Sequence, residues 1–436
     1  MKRQIAIISA LTLTAQFSAF VKLWFTARVF GLGSELDGYN LALILPTLVA
    51  SSVSGIVQTG LFPVRARLAI EKGGEDIAAF ERAVLLCMAG VGLVLSLGLL
   101  LTLDSAAAWV AGDAPPAVLS AFKQAFAPLI ALLFLNILGD CAGYLLAMRN
   151  KFPIAAAAPI ANGIIGALIL AFSPEGALHM LVASTLVGLL LQVGICFGAL
   201  PHAGLKFFGP LPNVAGFVCS ARTMVTLGVL GFPGVLLSNL VLSLPQVWIA
   251  GFGEGAVSAF GYAIRLHLAV IQLVIMASST VLLARLADLV SSRQVGELRR
   301  VLAQANRAAW GVGLAGILVV WALGEPVLSI MLNGRFTPED AHRVASHWTI
   351  ISFGIPFAIV GAIYSKLWQA RGKPVLLVLG PAVNLTGMWI TFSFTASFLG
   401  EYSSAAAMSS GAAMAALVAV VTERILYRAD EGPATP

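Results

Sequence analysis

The chain has 436 residues, 59% of them hydrophobic and only 11% charged, with a formal net charge of +6. A soluble globular domain carries about 25% charged residues, so the composition excludes soluble enzymes and nucleic-acid-binding domains and marks an all-α integral membrane protein. The positive balance has an ordinary source in Lys- and Arg-rich cytoplasmic loops, and no nucleic acid partner is implied.

Apolar stretches of the roughly 20 residues needed to cross a bilayer predict spans near 5–29, 39–64, 83–103, 121–147, 153–173, 177–200, 223–250, 256–287, 309–331, 345–366, 374–399 and 403–426, twelve in all. Lys2 and Arg3 precede the first run. That run continues past Phe20 without an A-x-A-like site, so it reads as a span and not as a cleavable signal. Alternate loops carry most of the 26 Lys and Arg, among them Arg65, Arg67, Arg149, Lys151, Arg285, Arg299, Arg300, Arg371 and Lys373. The opposite loops hold Arg28, Arg335 and Arg343. By the positive-inside rule both termini are expected in the cytoplasm.

The chain repeats itself. Arg149-x-Lys151 followed by Pro159 and Asn162 recurs as Arg371-x-Lys373 followed by Pro381 and Asn384, and Phe30-Gly31-x-Gly33 recurs as Phe252-Gly253-x-Gly255, every position displaced by 222 residues. The displacement covers six spans, so two parallel six-helix lobes are predicted, 1–222 and 223–436, related by an axis along the membrane normal. In such folds substrate binds near the midplane between the halves. Pro46, Pro128, Pro159, Pro233, Pro245 and Pro381 fall within spans, where proline frees a carbonyl and kinks the helix.

Three cations lie within spans: Lys22, Lys123 and Arg265. A lysine or arginine near the bilayer centre costs about 2.5–3.5 kcal/mol, so such residues face wet cavities and carry function. Lys22 lies about 17 residues into the first span and Arg265 about 10 into the eighth, from the opposite side; at a 1.5 Å rise both are expected at one depth. Two desolvated cations on one cavity need an anion, and a diphosphate suits a guanidinium fork beside an ammonium point charge. Lys22 has a structural alternative, snorkelling or pairing with Asp37 or Asp140. Arg28 is a further candidate for the diphosphate, with an interfacial anchor as its alternative, and Asp37, opening the second span, is a candidate substrate-site residue that N-terminal capping alone would also explain. Asp140 lies deeper and is a candidate partner for a lysine or for a coupling cation. Lys123 begins its span and has snorkelling as its alternative; Gln16 and other amides fit interhelical hydrogen bonding as well as sugar recognition.

Enzyme chemistry has little support. The five histidines form no metal-ligand spacing, and no H-E-x-x-H, C-x-x-C or Walker A loop occurs. No cofactor is implied; sodium or protons are the candidate coupling ions, with membrane potential as the other drive, worth about 2.3 kcal/mol per charge across 100 mV.

The hairpin A-R-V-F-G-L-G-S-E-L-D-G-Y at Ala27 to Tyr39, followed by Pro46, resembles the start of the MurJ/MviN family of lipid II flippases, in the multidrug/oligosaccharidyl-lipid/polysaccharide exporter superfamily. Gly261-Tyr262-Ala263-x-Arg265-Leu266, Gly334-Arg335-Phe336-Thr337 and Ala370-Arg371-x-Lys373-Pro374 are similar to further family motifs, in order. The resemblance implies a shorter, twelve-helix member that moves an undecaprenyl-diphosphate-linked saccharide to the outer leaflet of the bacterial cytoplasmic membrane by alternating access. By position, Lys22 replaces a first-helix cavity arginine, Arg28, Asp37 and Arg265 are retained, and Gln16 and Ala50 stand where lipid II flippases have cavity arginines. The expected partners are the lipid-linked glycan with its diphosphate and membrane lipids, for a monomer working beside cell-envelope synthesis proteins. Two rivals stay open: a cation-coupled drug or metabolite antiporter centred on Asp140 or Asp37, and a non-transporting cell-envelope scaffold.

Overall fold

A computed structural model describes residues 2–71, 73–292, 294–331 and 334–430. The side chains of Lys2 and Arg3 lie outside the described residues. The chain forms two compact units, the first being Met1–Asn239 with Gly253–Gly255 and Leu332–Phe336, the second the remainder. Residue 222, where the repeat divides the sequence, falls inside one continuous helix.

The first unit contains α1 (Lys2–Phe30), α2 (Ser34–Glu71), α3 (Gly74–Leu101), α4 (Leu103–Ala111), α5 (Pro116–Leu129), α6 (Ala131–Met148), α7 (Phe152–Ala171), α8 (Leu178–His202) and the start of α9 (Val214–Trp248). The hairpin between α1 and α2 turns on Gly31, whose φ of +60° a side-chain-bearing residue rarely adopts. Its N–H closes α1 by donating to the Ala27 carbonyl at 2.8 Å. Glu35 and Asp37 then occupy the first turn of α2, where the helix dipole favours acids. The unit's core packs Val57, Leu61 and Val64 of α2 against Leu133, Ile137, Leu145 and Leu146 of α6 and Cys196 and Leu200 of α8.

Small residues bring α2 and α9 into backbone contact. A Cβ at Gly60 would collide with the Met224 carbonyl, and one at Gly228 would lie 2.5 Å from the Ile56 carbonyl oxygen. Interfaces of this kind are how membrane helices pack closely without a hydrophobic driving force. Near one end of the same bundle the fully buried Glu81 of α3 accepts from Arg65 Nε of α2 at 3.0 Å and from Arg149 Nε at 2.7 Å, with a second, short bond from Arg149. Arg149 also donates to the Ala203 carbonyl beyond α8 at 2.9 Å.

The second unit contains the end of α9, then α10 (Ala256–Ser291), α11 (Val295–Met331), α12 (Pro338–Ser352), α13 (Ile355–Ala370), α14 (Pro374–Leu399) and α15 (Ser403–Asp430). Thr337 caps α12 in a reciprocal capping box: its hydroxyl accepts from Asp340 N at 3.2 Å and the Asp340 carboxylate accepts from Thr337 N at 2.9 Å. α12 and α13 meet at a bend of 44°, with Pro356 in the first turn of α13. At this bend Ser409 of α15 donates to the Ile350 carbonyl at 2.6 Å, satisfying a backbone group near the end of α12. The core gathers Ile355, Ile359, Tyr364 and Trp368 of α13 with Leu298, Val301 and Leu302 of α11.

Among the described residues, nine helices are long and apolar enough to cross a membrane, ten with the bent pair, against the twelve expected. Helices occupy each expected position, but Ala256–Gln272 is a shorter apolar segment and Val375–Leu426 carries α14 and α15 as one apolar stretch of 52 residues. The expected fourth span is carried by α5 and α6, which meet at Ile130, two residues after Pro128, with helical backbone angles kept there.

The repeat seen in the sequence is a repeat of structure. Asn150 (φ 59°) and Gly372 (φ +65°) end α6 and α13 in the same left-handed turn. Lys151 N returns to the Leu146 carbonyl at 2.8 Å and Lys373 N to the Trp368 carbonyl at 3.0 Å, as in a Schellman cap. Gly188 seats against Asn162 between α7 and α8 as Gly411 seats against Asn384 between α14 and α15, the amide oxygen 2.5 Å from a Cβ built at either glycine.

Candidate substrate site

Lys22 is half-buried on α1. Its Nζ donates to Thr185 Oγ1 of α8 at 3.1 Å, and that oxygen shares a 2.6 Å hydrogen bond with the Tyr39 hydroxyl of α2. On the α7 side, the lysine stem runs against Gly166, where a Cβ would lie 2.7 Å from both Cδ and Cε. Four helices thus fix one ammonium, and Thr185 and Tyr39, which hold it from α8 and α2, are neutral hydroxyls. One turn along α7, Asn162 donates to the Gln192 amide oxygen of α8 at 3.0 Å, continuing a polar seam through the unit.

Asp37 is fully buried, and its Oδ2 accepts from Gly255 N at 2.6 Å, consistent with a charge-assisted bond. The sequence places Asp37 as a cap for its own helix; α2 begins three residues earlier, at Ser34, and the carboxylate accepts from the glycine-rich segment that precedes α10. Arg28 is exposed at the end of α1. Its backbone carbonyl accepts from Arg335 N at 3.0 Å, while a Cβ at Gly334 (φ +87°) would meet Arg28 Cγ at 2.6 Å. The G-R-F-T motif therefore has a mechanical content: Gly334 allows backbone approach, Phe336 is buried and Thr337 caps α12.

Of the remaining candidates, Arg265 is half-buried on α10 in the second unit, and Gln16 is half-buried on α1, six residues before Lys22. Asp140 is half-buried on α6 with the Ser54 hydroxyl of α2 beside it. Lys123 is exposed on α5, in keeping with snorkelling. Among the described residues no group of three or more side chains could hold a metal ion. The arrangement can bind an anion through a lysine and hydroxyls. Sequence reading missed Thr185, Tyr39 and Gly166, because a lone threonine, tyrosine or glycine in an apolar run gives no signal of its partner helix.

A family model described as lipid II flippase MurJ matches residues 26–431. The chain belongs to that family. It is 24% identical over 404 residues to the probable lipid II flippase MurJ of Rhizobium meliloti (strain 1021), covering 88% of this chain and 74% of that one. To the probable lipid II flippase MurJ of Rickettsia prowazekii (strain Madrid E) it is 25% identical over 265 residues, covering 59% and 51%. In fold it is similar to a solved lipid II flippase MurJ in an inward closed conformation, with a TM-score of 0.81 and 16% identity over 96% of this chain and 87% of that one. It also resembles an inward-facing multidrug resistance MATE transporter, with a TM-score of 0.77 and 14% identity over 99% and 100%. This MurJ-family chain is a multi-pass membrane transporter of the MOP superfamily fold and not an enzyme.

Proposed function

We propose that this flippase moves lipid II, or a closely related undecaprenyl-diphosphate-linked saccharide, across the cytoplasmic membrane, with Lys22 and Arg265 as the cations that take the diphosphate. The observation that carries this is the Lys22 ammonium, half-buried within the first span and held by the neutral Thr185 hydroxyl. A cation kept inside a span at a cost of about 2.5–3.5 kcal/mol is stabilised when an anion arrives. Arg28 and Asp37, at the glycine-rich hairpin, complete the substrate-binding set, and transport proceeds by alternating access with both termini in the cytoplasm. The coupling ion is a sodium ion or a proton, for which Asp140 is the candidate carboxylate.

The test is replacement of the flippase in a bacterial cell depleted of its own, with mass spectrometry of undecaprenyl-linked intermediates and their leaflet accessibility. Wild-type chain restores outer-leaflet lipid II, and Lys22→Gln and Arg265→Gln leave it on the cytoplasmic face. If both variants restore transport, the cationic site is wrong and a carboxylate-centred antiporter gains. Should the wild-type chain move no lipid-linked glycan, the flippase reading falls and the scaffold remains.

A further inference from the structure

The Lys22 side chain is held on two sides before any substrate is present. Its stem lies against the bare backbone of Gly166 on α7, and its ammonium is bonded to Thr185 on α8. Thr185 and Lys22 are half-buried, whereas Tyr39, which fixes the Thr185 hydroxyl from behind, is only 6% exposed. A threonine hydroxyl has one proton and two lone pairs. When one lone pair accepts from the ammonium, the Thr185 proton or the Tyr39 proton completes the second bond, and a hydrogen bond from a cation strengthens the next one in the chain.

We propose that Thr185, and through it Tyr39, are positioning residues that pre-organise the Lys22 ammonium for a phosphate oxygen of the substrate. A lysine carries a flexible four-carbon stem and about 2 kcal/mol of rotamer entropy. Fixing the ammonium in the folded protein removes that loss from the binding step, which is how pre-organisation raises affinity. Thr185 is also exposed enough to donate to the bound anion as it arrives; Tyr39, nearly fully buried, is placed to act through Thr185. The ligand class is therefore an oxyanion of the phosphate type, recognised by ammonium and hydroxyl together.

The inference rests on the anion site proposed above, and its test separates the two. The full chain in lipid nanodiscs is titrated with undecaprenyl diphosphate, read by intrinsic fluorescence because Trp24 lies two residues from Lys22, with the uncharged undecaprenyl alcohol as control. Thr185→Val weakens diphosphate binding about ten-fold, the scale of one hydrogen bond to a charged group, and leaves the alcohol unchanged. Tyr39→Phe, which deletes one oxygen, weakens it about three-fold, at the lower end for a neutral bond. Thr185→Ser keeps affinity within about two-fold, since the hydroxyl remains. The double variant Thr185→Val with Tyr39→Phe is no weaker than Thr185→Val alone, a non-additivity expected only if tyrosine acts through threonine. If Lys22→Gln loses binding while Thr185→Val and Tyr39→Phe bind like wild type, positioning is refuted and the anion site stands. If Thr185→Ser, which keeps the hydroxyl, loses as much as Thr185→Val, which keeps the methyl, any change of shape at this position disturbs the site, the hydroxyl has no particular role, and the inference is overturned. If Lys22→Gln itself binds like wild type, the site and the inference fall together.

Discussion

Glu81 offers a quantitative test of how the first unit is held. Its carboxylate is fully buried and accepts from two arginines, Arg65, 21% exposed, and Arg149, 13% exposed. Hydrogen bonds to charged groups contribute about 1.5–3 kcal/mol each, and breaking a buried ion pair by removing one partner costs about 3–5 kcal/mol. In Glu81→Gln the amide oxygen still accepts from one arginine as a neutral acceptor, so the expected loss sits near the lower bound, about 3 kcal/mol. At about 2 °C per kcal/mol for a large chain, the unfolding midpoint falls by about 6 °C. The assay is thermal unfolding of the purified protein in detergent, followed by tryptophan fluorescence. Arg149→Met should cost a similar amount, but the double variant should cost less than the sum, because the second substitution removes a charge that the first had already stranded. A shift below about 2 °C, or strict additivity, would show that water or lipid headgroups solvate these arginines and that the carboxylate is not their anchor.

At the α2–α9 crossing, Gly60→Ala must push the Met224 backbone away and is expected to cost about 1–3 kcal/mol of stability and to impair transport, whereas Gly90→Ala on α3, with nothing near its Cβ, is neutral; equal effects in the same melting assay would refute close backbone packing there. Asp37→Leu loses the bond to Gly255 N and about 1.5–3 kcal/mol, while Asp37→Asn keeps part of it; indistinguishable melting curves would show that the carboxylate is not anchoring that segment. Thr337→Ala removes the α12 cap at a cost of about 1 kcal/mol and Thr337→Ser does not, which amide exchange over residues 339–341 would report.

The architecture was legible where a constraint is local or periodic. Glycine at positions 31, 253 and 255 announces positive φ, the 222-residue displacement announces the paired turns at Asn150 and Gly372, and Lys22 stands out because charge is costly in hydrocarbon. What stayed hidden is tertiary. Arg65, Glu81 and Arg149 look like ordinary cytoplasmic-loop charges, since nothing in the sequence says that residues 68 apart meet. Thr185 and Tyr39, 146 residues apart, are silent for the same reason. Pro128 suggests a kink within one span, and α5 passes into α6 two residues on, at Ile130, with helical backbone angles kept there.

The two repeats also show which charges belong to the scaffold. Arg149 and Arg371 sit at equivalent turns, yet their partners are not equivalent. Arg149 pairs with Glu81 of α3, and the position 222 residues on is Ala303; Arg371 pairs with Glu423 of α15 at 2.8 Å, and the position 222 residues back is Pro201. The difference follows from where the sixth helix of each repeat stops. α8 ends at His202, so the Ala203 carbonyl just beyond it accepts from Arg149 at 2.9 Å, and the rest of that guanidinium turns to Glu81. α15 continues to Asp430, so its carbonyls near residue 423 are spent within the helix and a side chain must supply the acceptor. Glu423 is that side chain, only 3% exposed. An arginine present at both turns with its carboxylate moved from one helix to another is held by the need to tie the sixth helix to the turn, not by a ligand. Lys22 is the opposite case. The residue 222 positions on is Leu244, an apolar side chain with no charge at all, so the ammonium beside Thr185 is not part of the repeated scaffold.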